Sequence, residues 1–302
     1  MDAAAAPTPE SARLDPADAS AVHEAVRGRY AHAAQTSLLA PTERASCCGP
    51  TSCCGSEPRG LGPEDPISRD LYAVAEAPSA GALAASLGCG NPTALAQMSP
   101  GEVVLDLGSG GGLDVLLSAR RVAPGGTAYG LDMTPEMLAL ARRHQAEAGI
   151  DNAEFLLGTI EAVPLPEESV DVVISNCVIN LTPDKDRVFA EAFRVLRAGG
   201  RLAVSDIVLL RPLPAQMAGL VALWTGCVAG ALLDSDYVAR LRAAGFEDAA
   251  VEVTRTYSTV DLAELAASLA PSELPDGVDV DSAVALLDGA FASAFVRAVK
   301  PA

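Results

Sequence analysis

Val103-Val104-Leu105-Asp106-Leu107-Gly108-Ser109-Gly110-Gly111-Gly112 decides how the rest of this 302-residue chain is read. Four apolar residues and one carboxylate, in strand pattern, run straight into a glycine turn, and Leu113 to Val122 behind it predicts a helix. A strand, a G-x-G-x-G turn and a helix set backbone N–H groups at a helix start, where the missing side chains let a nucleotide-like ligand approach closely. Asp132 lies 24 positions after Gly108, at the end of the next expected strand, Thr127 to Leu131. A carboxylate there can accept protons from both hydroxyls of a ribose.

Outward from that turn, strand and helix signals alternate between Gly101 and Val208, which predicts an α/β, Rossmann-like parallel sheet with crossover helices. The helix after the second strand has Thr134 as N-cap, Pro135 in its first position and Glu136 in its first turn. Further strands are expected at Ala153–Leu157, Val170–Ser175 and Leu202–Val208, with a helix at Pro183–Leu196 stopped by Gly199-Gly200. Ser235–Ala244 predicts another helix, ended by Gly245. Ala249–Thr254 and Ala294–Val299 predict two strands paired at one edge of the sheet. Two segments interrupt the pattern, Leu209–Leu233 and the acidic Ser258–Gly289, and both are candidate lids. Upstream, Met1 to about Pro66 reads as a loose arm with one helix, Asp15–Ala34, carrying Val22, Val26 and Tyr30 on one stripe. The expected division is a flexible cysteine-rich arm over 1–70, a cofactor-binding core over 71–208, and inserted substrate-binding segments with the closing strands over 209–302.

Composition narrows the function. With 39 carboxylates against 21 lysines and arginines the formal charge is -18, which disfavours nucleic acid and anionic membrane surfaces as partners. The uncharged run between Arg211 and Asp234 is apolar only from Met217 to Leu233, short of the ~20 residues a bilayer span needs. Met1 to Pro16 has no basic region ahead of an apolar run, so no secretory signal is expected and the cytoplasm is the expected location.

Seven cysteines, an odd number, then point to reduced thiols used for chemistry rather than a disulfide framework. Cys177 follows the fourth strand in Ser175-Asn176-Cys177-Val178-Ile179-Asn180-Leu181. Cys227 sits in the uncharged insert, in Trp224-Thr225-Gly226-Cys227-Val228-Ala229-Gly230. Cys89 lies in the turn Gly88-Cys89-Gly90-Asn91-Pro92. Three thiolates converging from a strand end, an insert and a turn suit a soft, three-coordinate, pyramidal centre. Trivalent arsenic has that preference and keeps a lone pair able to attack an electrophilic methyl group. The arm's vicinal pairs, Cys47-Cys48 and Cys53-Cys54, are open to three readings: zinc binding without the usual C-x2-C knuckle, capture of a thiophilic ion or redox exchange with Cys89, and incidental cysteines.

The compact glycine turn, Asp106 before it and the order of elements resemble the class I methyltransferase fold, whose cofactor is S-adenosylmethionine. In that frame Met133 lies beside the ribose, Ile160 and Glu161 near the adenine, and Asn176 at the methionine end. His144 reads as part of a solvated helix face, and no Ser–His–Asp arrangement is visible. Taken with the cysteine motifs, Leu131-Asp132-Met133-Thr134 and Pro183-Asp184-Lys185, the chain resembles the arsenite S-adenosylmethionine methyltransferases over about Gly88 to Phe246. The resemblance implies methyl transfer to arsenic(III) held by Cys89, Cys177 and Cys227, with Asp106, Gly108, Gly110, Gly112 and Asp132 at the cofactor. It also implies a thiol reductant, glutathione or thioredoxin, that delivers arsenite as a thiol adduct and regenerates the enzyme. No metal cofactor is expected. Cys47-Cys48 resembles the vicinal cysteines the family often carries, while the Ala- and Ser-rich stretch Ile67–Leu87 departs from it. Two rivals stand beside this reading: a methyltransferase of a small organic molecule, and a non-enzymatic metalloid-sequestering protein.

Overall fold

The computed structural model describes residues 18–39, 90–213, 230–268 and 280–302. Its centre is an eight-stranded sheet. β1 (Val103–Leu107), β2 (Thr127–Asp132), β3 (Ala153–Leu157), β4 (Val170–Asn176) and β5 (Leu196–Leu209) are parallel. β8 (Phe291–Val299) and β7 (Glu247–Thr256) close it antiparallel, giving the order β3-β2-β1-β4-β5-β8-β7, and the short β6 (Leu232–Leu233) pairs with β5. The two late strands thus stand together at one edge, as their sequences predict. Parallel strands need long crossovers, supplied here by α3 (Leu113–Val122), α4 (Pro135–Ala148) and α5 (Lys185–Val195). Their apolar faces bury Leu116, Leu138, Val188 and Phe189 against the sheet. Ahead of the sheet come α1 (Ala19–Leu39) and the short α2 (Pro92–Leu95). After it come α6 (Asp234–Ala243), α7 (Thr259–Ser268) and α8 (Val280–Leu287), the last two within the acidic stretch expected as a lid.

The register fixes where ligand groups meet. Leu107 pairs with Leu131 on one side and Ser175 on the other, and Asp132 with Leu157. The glycine turn, Asp132, the residues after β3 and Cys177 therefore emerge side by side at the carboxyl edge, where the strand order reverses at β1 and β4.

Three expectations need adjustment. The first helix is seen from Ala19 to Leu39, with Asp18 accepting at its start from the Ala21 amide at 3.1 Å. It runs past Ala34 because Leu38 finds apolar company with Met137 and Leu140. Asp184 caps α5 by accepting from the Arg187 amide, so Pro183 stays outside. Gly199-Gly200 does not stop the helix, which ends at Val195, but lies inside β5, where Gly199 N donates to Lys300 O and Lys300 N to Gly200 O. β5 accordingly starts at Leu196, a tertiary override of local turn chemistry. No helix among the described residues is long and apolar enough to cross a membrane.

Candidate active site

The cofactor cleft is built on the glycine turn. Gly108 has φ +74 and a Cβ there would lie 2.4 Å from Val178 Cγ1, so only glycine fits between β1 and the loop after β4. Asp132 braces the turn: its Oδ2 accepts from Gly110 N at 2.9 Å and its Oδ1 from Thr134 N at 2.8 Å. Each carboxylate oxygen still has lone-pair capacity for a ligand hydroxyl. Burial raises the Asp132 pKa and these amides pull it back. Thr134 occupies the N-cap position of α4 without a side-chain capping bond.

Behind the turn, Asp106 is buried beside Asp114 and Asp132. Burial first, then these two negative neighbours, hold its carboxyl well above the ordinary range. Asp106 Oδ1 and Ser109 Oγ are buried without a hydrogen-bond partner among the described residues. Orphaned buried polar atoms are costly and ask for a ligand. A cationic, hydrogen-bonding group such as the ammonium of S-adenosylmethionine satisfies both demands, so the residues present fit that cofactor.

On the adenine side Met133, Ile160 and Glu161 line a cleft with Gly108, Gly110 and Asp132. Glu161 Oε1 accepts from Thr182 Oγ1 and from His23 Nε2, the latter at 2.8 Å.

The thiol side begins where β4 ends. Cys177 has φ +58, a left-handed conformation that costs an L-residue about 1–2 kcal/mol. The bend is held by Cys177 N donating to Ser205 O at 2.8 Å. Cys177 is buried with Leu181, Ile207 and Ala231, and Leu213 packs on the same cluster. It is disulfide-bonded, which corrects the expectation of a reduced thiol at this position. Cys89 and Cys227, and the arm's Cys47, Cys48, Cys53 and Cys54, lie outside the described residues.

Asn176, expected at the methionine end of the cofactor, is engaged by its neighbours. Its Oδ1 accepts from Gly90 N at 3.3 Å, and its Nδ2 donates to Gly90 O at 2.8 Å and Asp114 Oδ2 at 3.1 Å. Gly90 can sit there because it has no side chain; a Cβ would stand 1.6 Å from Ser205 Oγ. Further along, Ile179–Leu181 forms a 3-10 turn. In it Asn180 is fully buried and donates to Asp206 Oδ1 and Ile207 O, both at 2.7 Å.

His144 corrects the sequence reading. It is buried, not solvated, and its Nδ1 meets Gly111 O at 2.8 Å, so it holds the back of the glycine turn. Gly112 starts α3 at φ +85 and stands outside the cleft lining. Sequence reasoning also missed His23, Val26 and Tyr30, which line the cleft from α1. The stripe Val22-Val26-Tyr30 was legible, but nothing local says which surface covers it.

Sheet order, glycine turn and carboxylate at the end of β2 define the class: an S-adenosylmethionine methyltransferase of the class I fold. A methyltransferase-domain family matches residues 98–250. The arsenite methyltransferase of Halobacterium salinarum is 45% identical over 246 residues, 78% of this chain and 59% of that protein. That of Aquipseudomonas alcaligenes is 41% identical over 53% of this chain and 48% of its own length. The solved structure of an arsenic(III) S-adenosylmethionine methyltransferase from Chlamydomonas reinhardtii has a TM-score of 0.56 at 34% identity, covering 72% of this chain and 69% of that one. The chain belongs to the arsenite methyltransferase family. It spans between 48% and 59% of the length of these two curated relatives.

Proposed function

We propose that this chain transfers a methyl group from S-adenosylmethionine to trivalent arsenic bound by the thiolates of Cys89, Cys177 and Cys227. The observation that carries the reading is the convergence on Cys177. Gly90, which follows Cys89 in sequence, is held by Asn176, which precedes Cys177. Leu213 and Ala231, on the two flanks of the insert that contains Cys227, pack in the Cys177 cluster. Three remote stretches of sequence are thereby brought to one strand end beside the cofactor cleft.

The bound cofactor supplies an electrophilic methyl group on a sulfonium sulfur. The chain's own contribution is positioning. The Cys177 bend sets the thiol at the end of β4, and the buried cluster around it excludes water from the reacting centre. Arsenic's own lone pair forms the new bond, so a general base is not required for transfer.

Cys177 is disulfide-bonded, so arsenite binding requires its reduction first. Two thiols of the glutathione or thioredoxin kind supply the electrons and leave as a disulfide, which fits a transient catalytic disulfide in the cytoplasm. The vicinal Cys47-Cys48 pair is a further candidate for arsenic capture before transfer.

The test is to incubate the chain with S-adenosylmethionine, a thiol and arsenite, and to look for methylated arsenic by mass spectrometry. Cys177→Ser and Cys227→Ser are expected to abolish the product while S-adenosylhomocysteine still binds. Normal turnover by either variant overturns the three-thiolate mechanism, whereas no methylated arsenic from the parent chain favours a small organic acceptor. Arsenite binding without cofactor affinity leaves only sequestration.

A further inference from the structure

The helix expected in a loose arm forms a wall of the cofactor cleft. His23, Val26 and Tyr30 of α1 line it with Gly110, Asp132, Met133 and Glu161. One stripe of α1, spaced four residues apart, carries its apolar docking. Val22 and Val26 are fully buried in the Cys177 cluster, and Ala34 packs on Met137 and Leu140 of α4 with Tyr30 against both groups. One helix therefore borders the cleft on one side and Cys177 on the other.

Its polar attachments are uneven. Gln35 Nε2 to Glu136 Oε1 and Arg143 Nη1 to Leu38 O are both long, at 3.4 Å. His23 Nε2 to Glu161 Oε1 is short, at 2.8 Å, with His23 34% exposed and Glu161 14%. α1 contributes no strand to the sheet, so lifting it breaks none of the sheet's hydrogen bonds. Most of a helix's stability in a protein comes from the packing of its apolar face, so α1 docks and lifts as one element on that stripe.

We infer that α1 is the gate through which the cofactor enters and leaves, and that His23 is a positioning residue that latches it by holding Glu161. Two hydrogen bonds fall on Glu161 Oε1, from Thr182 Oγ1 and His23 Nε2. They orient the carboxylate and leave Oε2 for a donor on the ligand, such as an adenine amino group. With α1 down, the sulfonium and the thiolates share a covered space. With α1 up, S-adenosylhomocysteine is free to leave. Opening of such covers sets turnover in many enzymes. The inference rests on the cofactor reading of the cleft and not on arsenic.

The test uses the full chain under reducing conditions, with S-adenosylhomocysteine as probe. Calorimetry gives its Kd, stopped-flow displacement its release rate, and hydrogen exchange the protection of residues 19–39. His23→Ala is expected to raise Kd and the release rate about three- to tenfold, the range for a partly exposed hydrogen bond to a charged group. Ligand-induced protection of α1 should fall with it. His23→Gln places an amide donor at similar reach and should restore both, which a merely structural role of the ring would not. Unchanged binding and release in His23→Ala, or no rescue by His23→Gln, overturns the latch. A parent chain that binds no S-adenosylhomocysteine overturns the cofactor reading itself.

Discussion

Replacing Asp206 by asparagine should change how the stability of this protein depends on pH. Asp206 is fully buried in β5, with Oδ1 accepting from Asn180 Nδ2 at 2.7 Å and from Ile207 N at 3.0 Å, and with Tyr237 Oη 3.5 Å from Oδ2. Burial raises its pKa to about 7 from the ordinary 3.8; the Ile207 amide, the Lys185 charge and the Tyr237 hydroxyl oppose the rise without cancelling it. Burial and the neighbouring Asp206 charge in turn push the Tyr237 hydroxyl well up. A carboxyl whose folded pKa exceeds its unfolded value keeps its proton in the folded state while the unfolded chain has lost it. Stability from this group is therefore full below about pH 4 and is lost as pH rises to about 7. At about 1.4 kcal/mol per pH unit, the gap amounts to about 4 kcal/mol, of which about 3 falls between pH 5 and 8. Asp206→Asn keeps the acceptor for Asn180 and cannot ionise. Urea unfolding of parent and variant at pH 5, 6, 7 and 8 should show similar stability at pH 5 and a growing advantage of the variant, by about 3 kcal/mol at pH 8. Parallel profiles would show that Asp206 titrates normally and that its burial is relieved in some other way. Because Asn180 stands three residues after Cys177, the same variant reports on how firmly the thiol loop is seated.

Asn176→Ala removes three hydrogen bonds to Gly90 and Asp114, so arsenite methylation should fall at least about tenfold while the Kd for S-adenosylhomocysteine moves less than about threefold; equal losses in both would mean that Asn176 serves the cofactor directly. Gly108→Ala forces a Cβ to 2.4 Å from Val178 at φ +74. It should cost about 2–4 kcal/mol of stability and weaken calorimetric cofactor binding more than tenfold; unaltered affinity would refute the close approach. His144 is buried with its pKa lowered from 6.5, mainly by desolvation, so the folded chain resists its protonation and loses stability as pH falls below about 6.5. His144→Gln should remove that acid-sensitive component, seen as a flatter melting-temperature profile between pH 5 and 7; an unchanged slope would place the titration elsewhere.

What could be read directly from residue order was the part governed by short-range rules. The apolar run Val103–Leu107 into glycines, the Thr134-Pro135-Glu136 helix start and the carboxylate Asp132 each have a local physical cause, and each is found in the expected element. The motif residues Gly108, Asp132, Met133, Ile160 and Glu161 meet in one cleft because each is adjacent to a strand end, and parallel strands deliver their ends to one edge. The acidic Asp106 was legible as a residue, but only packing buries its oxygen without a donor and sets it beside Asp114 and Asp132. His144 illustrates the limit. A histidine among charged residues on a helix looks solvated, and only the packing of α4 behind the glycine turn buries it against Gly111. The course of α1 was likewise beyond local rules: its stripe requires an apolar surface but does not specify which one.

Sequence by itself thus determined the fold class and the cofactor turn, since period-two and period-3.6 patterns and glycine conformations are properties of neighbouring residues. Tertiary structure decided which distant groups share a site: Gly90 against Asn176, His23 against Glu161, Asn180 against Asp206. Those pairings depend on sheet register and helix docking, whose free energies are sums over many long-range contacts that no single stretch of the chain encodes.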